Sequence, residues 1–283
     1  MQYQSPAWFD AMYNNRAMVP DFPVYFDQWL AQSQKARQEL HSLLDVSYGS
    51  GPQETLDIFP SKIPNAPVVV FIHGGYWRSL DKSDHSFIAP SFVEAGACVV
   101  VPNYALCPDV TIPQIVMQMV KALIWVYRYI HHWGGDPSRI HVQGHSAGGH
   151  LAAMLMACQW RLCDDQLPDD LVKTALSVSG LHELHSVMRA PFLHSTLKLT
   201  NEHVLKASPA WMPAPAHGKL IAVAGGLESD EFKRHCILIQ QAWGKERVPQ
   251  TQILDGIHHF NIVQAYADVR HPLHQLALGL LAR

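Results

Sequence analysis

Ile140-His141-Val142-Gln143-Gly144-His145-Ser146-Ala147-Gly148-Gly149-His150-Leu151 is the stretch that decides how this chain folds. Its first four residues read as a short strand. From Ala147 to about Gln159 alanine, leucine and methionine dominate, which reads as a helix. Between the two lies Gly144-x-Ser146-x-Gly148, the pattern of a strained strand-to-helix turn that holds a serine hydroxyl exposed. Small residues are needed two before and two after the serine because the turn brings backbone segments into contact. A glycine-rich turn with Ser146 as a simple helix cap is the alternative, and the strand before and helix after weigh against it.

Outward from this turn, β-branched runs alternate with longer helical patterns. Val68 to Ile72, ending in Gly74-Gly75, and Ala97 to Val101, ending at Pro102, are continuous apolar runs that read as buried central strands. Further strands are expected at Leu56 to Phe59, Thr174 to Val178, Leu220 to Ala224 and Gln250 to Leu254. Ile112, Ile115, Val116, Met119, Val120, Leu123, Tyr127 and Ile130 recur at helical spacing behind a capping box, Thr111-x-x-Gln114, with Pro113 in the first turn. A turn at Gly134-Gly135-Asp136-Pro137 follows. Later helices are expected from Asp230 to Trp243 and beyond Asn261, the last bent at Pro272. Such alternation builds a mostly parallel sheet with helices on both faces, an α/β class.

Upstream, Phe26, Trp29, Leu30, Leu40, Leu43 and Leu44 mark an amphipathic helix within an arm spanning about residues 1–45, whose first 25 residues are rich in aromatics. Residues 185–215, with Pro191, Pro209, Pro213 and Pro215 and no clean period, read as a cap-like insertion over the sheet edge. Neither repeats nor a linker appear, so residues 1–283 are expected to form one domain.

With 283 residues, 48% hydrophobic and 16% charged, the chain can bury roughly three quarters of its unfolded surface. Lys and Arg total 21 against 24 Asp and Glu, a net charge of −3 in scattered order, which speaks against a nucleic-acid or anionic-membrane partner. Apolar runs such as Ala66 to Ile72 fall far short of the ~20 residues that span a bilayer. Met1-Gln2-Tyr3-Gln4-Ser5-Pro6 lacks the blocks of a signal peptide, so a cytoplasmic location is expected. Five cysteines, an odd number in mostly apolar segments, read as free thiols. The expected partner is a small-molecule substrate, and a homodimer is left open.

A serine activated for acyl transfer needs donors for the oxyanion. In α/β-hydrolases, to which the elbow points, one is the N–H after the nucleophile and another comes from the loop after an earlier strand. Here these are Ala147 and His73-Gly74-Gly75-Tyr76-Trp77, with Gly75 and Tyr76 as the loop donors. The triad order in this fold is Ser, acid, His, which removes most of the 18 histidines. The loop after Leu220 to Ala224 carries Glu228, preferred as the acid. Asp230 more naturally opens the next helix behind Ser229. The loop after the following strand offers His258 or His259 as base. Tyr76, Trp77 and Tyr104 are candidates for an aromatic substrate pocket, with buried core aromatics as the equal alternative. His182-Glu183-Leu184-His185, His131-His132 and His271-x-x-His274 lack the spacing or the further ligands of a metal site, and the last two pairs read as surface histidines, so no metal and no cofactor are expected.

These residues resemble the arylformamidases, or kynurenine formamidases, of the α/β-hydrolase fold. The similarity lies in His73-Gly74-Gly75-Tyr76-Trp77, in Gly144 to Leu151, in the Glu228 loop and in His259-Phe260-Asn261-Ile262-Val263, and it extends to Tyr13-Asn14-Asn15-Arg16 and Leu106-Cys107-Pro108. His-Gly-Gly-x-Trp separates the group from esterases with a third glycine. The resemblance implies a base immediately before Phe260, hence His259, and an acid at Glu228 where relatives often carry Asp; Asp230 stays open as the alternative. It further implies a metal-free serine hydrolase acting on N-formyl-L-kynurenine in tryptophan catabolism. A carboxylesterase for small acyl or aryl esters would use the same machinery.

Overall fold

A computed structural model describes residues 4–282, and within them one sheet is built from β1 (Leu43–Ser47), β2 (Thr55–Phe59), β3 (Ala66–Ile72), β4 (Cys98–Pro102), β5 (Gly135–His145), β6 (Val172–Val178), β7 (Lys219–Gly225) and β8 (Gln250–Leu254). The spatial order is β1-β2-β4-β3-β5-β6-β7-β8. β2 runs antiparallel to β1 and β4, and the remaining neighbours are parallel. Ile72 pairs with Gly144, His145 with Val178 and Gly225 with Leu254, so the carboxyl ends of the parallel strands open on one edge.

The helices are α1 (Pro6–Tyr13), α2 (Asn15–Met18), α3 (Phe22–Glu39), α4 (Ala89–Glu94), α5 (Ile112–Tyr129), α6 (Ala147–Met156), α7 (Trp160–Cys163), α8 (Leu184–Met188), α9 (Pro191–Leu197), α10 (Asn201–Lys206), α11 (Asp230–Arg247), α12 (Asn261–Ala267) and α13 (Pro272–Gly279). They cover both faces. Val68, Val70 and Ile72 of β3 point into one core with residues of α5, α6 and α11, whereas Val69 and Phe71 point into another with α3, α4, α12 and α13. That is why the central strands read as unbroken apolar runs rather than alternating ones. The capping box of α5 forms: Gln114 Oε1 accepts from the Thr111 N–H at 2.7 Å while Thr111 Oγ1 accepts from the Gln114 N–H. No helix among the described residues is long and apolar enough to cross a membrane.

Several boundaries differ from expectation. α3 ends at Glu39, and Leu43 and Leu44 lie in β1, where Leu43 pairs with Ile58 of β2. Their helical spacing is overridden by pairing along the sheet, which lets Leu43 and Val46 pack on the core. β5 takes in residues expected as a turn, leaving Gly134, at φ 81°, to make the reversal. α6 stops at Met156, short of Gln159. The expected arm is helical through α1, α2 and α3, its first three residues lying outside the described ones. Residues 185–215 carry α9, α10 and most of α8, with a single 3-10 turn at Pro209–Trp211; Pro191 and Pro209 each stand in the first turn of an element.

Candidate active site

β5 delivers the chain to α6 through Ser146, whose φ of 56° and ψ of −115° are unusual for a residue with a side chain. Such a conformation costs of order 1–3 kcal/mol and persists only where surroundings impose it. Here the Ser146 N–H donates to Val178 O at 2.8 Å and its carbonyl accepts from the His150 N–H at 3.0 Å. The flanking glycines are required sterically. A Cβ on Gly148 would stand 1.9 Å from Ile72 O, and one on Gly144 would stand 2.3 Å from Gly148 O.

Three loops at the carboxyl edge bring Ser146, His259 and Glu228 into one line. His259 Nε2 lies 3.1 Å from Ser146 Oγ, and His259 Nδ1 lies 2.9 Å from Glu228 Oε2. The other carboxylate oxygen, Oε1, accepts from Ser179 Oγ at 2.6 Å and from the Gly225 N–H at 2.7 Å. Oε2 is thereby left to accept from Nδ1–H, which makes Nε2 the acceptor facing the serine hydroxyl. All three side chains are buried. Asp230 is elsewhere: it opens α11 behind Ser229, pairs with Lys233 at 3.1 Å and is 88% exposed. His258 also turns away. Its Nδ1 accepts from the N–H groups of Phe260 and Asn261, and its Nε2 meets Tyr25 Oη at 3.1 Å. Burial and the neighbouring His259 hold the His258 pKa below its ordinary value against the opposing pull of Asp21.

The loop after β3 approaches the nucleophile from the other side. Gly75, Tyr76 and Trp77 all take positive φ, at 103°, 52° and 54°. A Cβ on Gly74 would be 3.2 Å from Ser146 Cβ, so this glycine sets how near the loop can come. Tyr104 fixes the loop from behind: its ring stacks on His73 at 4.3 Å, and its hydroxyl donates to the carbonyls of His73 and Gly74 at 3.0 and 3.2 Å. Among the described residues the N–H groups of Gly75, Tyr76 and Ala147 have no partner within the chain. They lie on the loop after β3 and at the start of α6, the two segments that flank Ser146.

The expected pocket aromatics divide. Tyr76 lines the cleft over Ser146. Trp77 does not: it is fully buried, edge-on to the His150 ring at 5.0 Å, because the two positive φ angles before it fold its side chain under the loop. Tyr104 is likewise a buried support. The cleft is walled by Phe26, Trp29, Phe192 and Phe260, with Asn15, Arg16 and Arg78 around it. These residues come from α2, α3, α9 and nearby loops. Sequence reasoning missed their part in the cleft, although Asn15, Arg16 and Phe260 sat in similarity motifs.

His145 also lines the cleft, 4.6 Å from the His259 ring, with its Nε2 buried and unpartnered. Burial first, and then the proximity of His259, drives its pKa well down. Among the described residues no group of three or more His, Cys, Asp or Glu side chains is placed to hold a metal. His274, expected at the surface, is instead buried beside Phe92, with Nδ1 2.8 Å from Tyr266 O, while His271 Nδ1 accepts from the Leu273 N–H at the start of α13.

The BD-FAE family model matches residues 56–205. A kynurenine formamidase from Danio rerio is 28% identical over 260 residues, covering 89% of this chain and 86% of that protein. Among solved structures, a candidate thioesterase from a Silicibacter species superposes with a TM-score of 0.84 at 28% identity, covering 97% of this chain and 99% of that one. Esterase B from Lactobacillus rhamnosis, with a TM-score of 0.70 at 18% identity and coverage of 96% and 95%, shares the fold. The architecture is the α/β-hydrolase fold.

Proposed function

The chain belongs to the BD-FAE family, and from that premise we propose that it is a serine hydrolase of the arylformamidase type, hydrolysing N-formyl-L-kynurenine to L-kynurenine and formate. The observation that carries the reading is an aromatic-walled cleft that opens directly on Ser146 and His259, a lining suited to an aryl group. The Danio rerio formamidase, similar over nearly nine tenths of the chain, supports it.

Ser146 Oγ attacks the formyl carbon as its proton passes to His259 Nε2. The carbonyl oxygen becomes an oxyanion, met by the N–H groups of Gly75, Tyr76 and Ala147. The C–N bond then breaks, the aniline nitrogen takes the proton from Nε2, and the amine leaves. Water adds to the formyl-serine ester, giving its proton to the same nitrogen, and formate departs as Ser146 regains its proton. Glu228, with Oε1 already occupied by Ser179 and Gly225, holds His259 in the tautomer required and stabilises its charged form. The substrate implies tryptophan catabolism. Five free thiols accord with a reducing compartment such as the cytoplasm.

A carboxylesterase for small aryl or acyl esters is the second reading, favoured by the fold shared with esterase B. Comparing kcat/KM for N-formyl-L-kynurenine with that for short-chain aryl esters separates the two. A preference of at least about tenfold for the formamide is expected, and the reverse preference overturns the reading.

A further inference from the structure

The cleft holds two guanidinium groups and no carboxylate. Arg16 stands at its rim, with Nη2 3.3 Å from Ser79 Oγ and the guanidinium over the Phe22 and Phe26 rings at 5.2 and 5.5 Å. Arg78, deeper, donates to Phe192 O at 3.2 Å and to Thr196 Oγ1 at 3.0 Å. Every one of these acceptors is neutral. Among the described residues neither arginine is in an ion pair, and no Asp or Glu lines the cleft. A guanidinium carries five donors, so both retain unused ones. Asn15, on the same wall, is buried with its Nδ2 unpartnered.

Burial and the nearby charge of Arg16 push the Arg78 pKa down, against a smaller opposing effect of Tyr76. Two like charges and an unsatisfied amide donor beside apolar walls are unfavourable until an anion joins them. A planar carboxylate matches the guanidinium fork, and such charge-assisted bonds are the strong ones.

We propose that the substrate of this site bears a carboxylate, and that Arg16 and Arg78, with Asn15, are the specificity-determining residues that hold it while the aryl group lies along Phe26, Phe192 and Phe260. This rests on Ser146 being the nucleophile and deepens the formamidase reading, since N-formyl-L-kynurenine carries an amino-acid carboxylate at the end remote from its formyl group. Neutral aryl substrates then reach Ser146 without engaging the arginines.

The experiment measures kcat/KM for two matched pairs, each a carboxylate-bearing compound and its neutral counterpart: N-formyl-L-kynurenine with 2-formamidoacetophenone, and the aryl acetates 4-(2-acetoxyphenyl)-4-oxobutanoate and 2-acetoxybutyrophenone. In Arg16→Gln and Arg78→Gln the ratio of carboxylated to neutral substrate should fall about ten- to a hundredfold per arginine, mostly through KM. Ratios unchanged on both pairs, or rates falling in parallel for both members, would overturn the proposal and leave the arginines as props for Phe26 and Phe192. A protein that cleaves only the esters would defeat the formamidase reading, and the ester pair would still decide the arginines. Inhibition of the unaltered enzyme requires no variant. 4-Oxo-4-phenylbutanoate should inhibit phenyl butyrate hydrolysis at a concentration at least about tenfold below butyrophenone, and equal potency overturns the proposal.

Discussion

The Tyr76 hydroxyl donates to the main-chain carbonyl of Tyr13 at 2.6 Å, so the loop bearing the two proposed oxyanion donors is tied to the last residue of α1. Tyr13 is itself anchored, its hydroxyl lying 2.6 Å from Glu231 Oε2 and 2.7 Å from Ser186 Oγ. Tyr76→Phe removes the tie without changing the ring. It should cost about 0.5–1.5 kcal/mol in stability and lower kcat several-fold for neutral and charged substrates alike. Melting temperature and kcat measured together check this, and an unchanged kcat would mean the loop holds its shape unaided.

In the proposed mechanism Ser146 and His259 act on one transition state, so their removal should be non-additive. Ser146→Ala and His259→Ala should each lower kcat by several orders of magnitude, and the double variant by little more. His258→Ala should leave most of the rate, with a modest loss of stability where its ring caps Phe260 and Asn261. Single-turnover kinetics on the four proteins test the assignment.

Glu228→Gln places an amide where three donors converge, from Ser179, Gly225 and His259. One carbonyl oxygen and an NH2 group cannot accept all three, so the His259 tautomer is lost and the rate should fall on the order of 10⁴-fold. Asp230→Asn disturbs only an exposed first-turn carboxylate, worth a few tenths of a kcal/mol, and should leave the rate intact. A large rate loss in Asp230→Asn alone would move the acid.

Lys82 is buried between Asp57, at 2.6 Å, and Asp45, at 2.7 Å. Burial alone would lower its pKa, but the hydrogen bonds and charges of the two carboxylates outweigh it and raise the value. Because the folded pKa exceeds the unfolded one of about 10.4, the stabilisation is complete below that pH and is lost as pH rises through the folded value. Lys82→Met leaves Asp57 buried without its cation and should cost about 3–5 kcal/mol at neutral pH. Denaturant titrations at pH 7 and near pH 11 should show the gap between the two proteins narrowing at the higher pH.

The fold was legible wherever a strand is covered on both faces, because Val68 to Ile72 or Ala97 to Val101 can hardly be anything but central strands. It was illegible at the edge: β1, exposed along much of its length, has no apolar run, and Leu40, Leu43 and Leu44 imitate a helix. Ser146 was readable from the sequence because Gly144 and Gly148 are dictated by backbone collisions within a few residues. Chain order narrowed the acid to Glu228 or Asp230 and the base to His258 or His259, and the resemblance selected His259. The cleft was not readable, since Arg16, Phe26, Arg78 and Phe192 meet only after α2, α3 and α9 fold across the sheet edge, and no local spacing encodes that meeting. Trp77 was misplaced for a related reason: a motif identifies its residues but not the φ angles that turn one of them inward.

The helices that precede the sheet supply Asn15, Arg16, Phe26 and Trp29 to the wall of the cleft, while the nucleophile, acid and base all come from loops at the carboxyl ends of the strands. Part of the selectivity is thus written ahead of the sheet, while Tyr76, Arg78 and Phe192 of the same wall come from later in the polypeptide. Because the Tyr13 carbonyl also receives the Tyr76 hydroxyl, exchange of roughly the first forty residues for those of a relative would reach the loop beside Ser146 as well. Such a change would show in an assay as altered taste and altered vigour together.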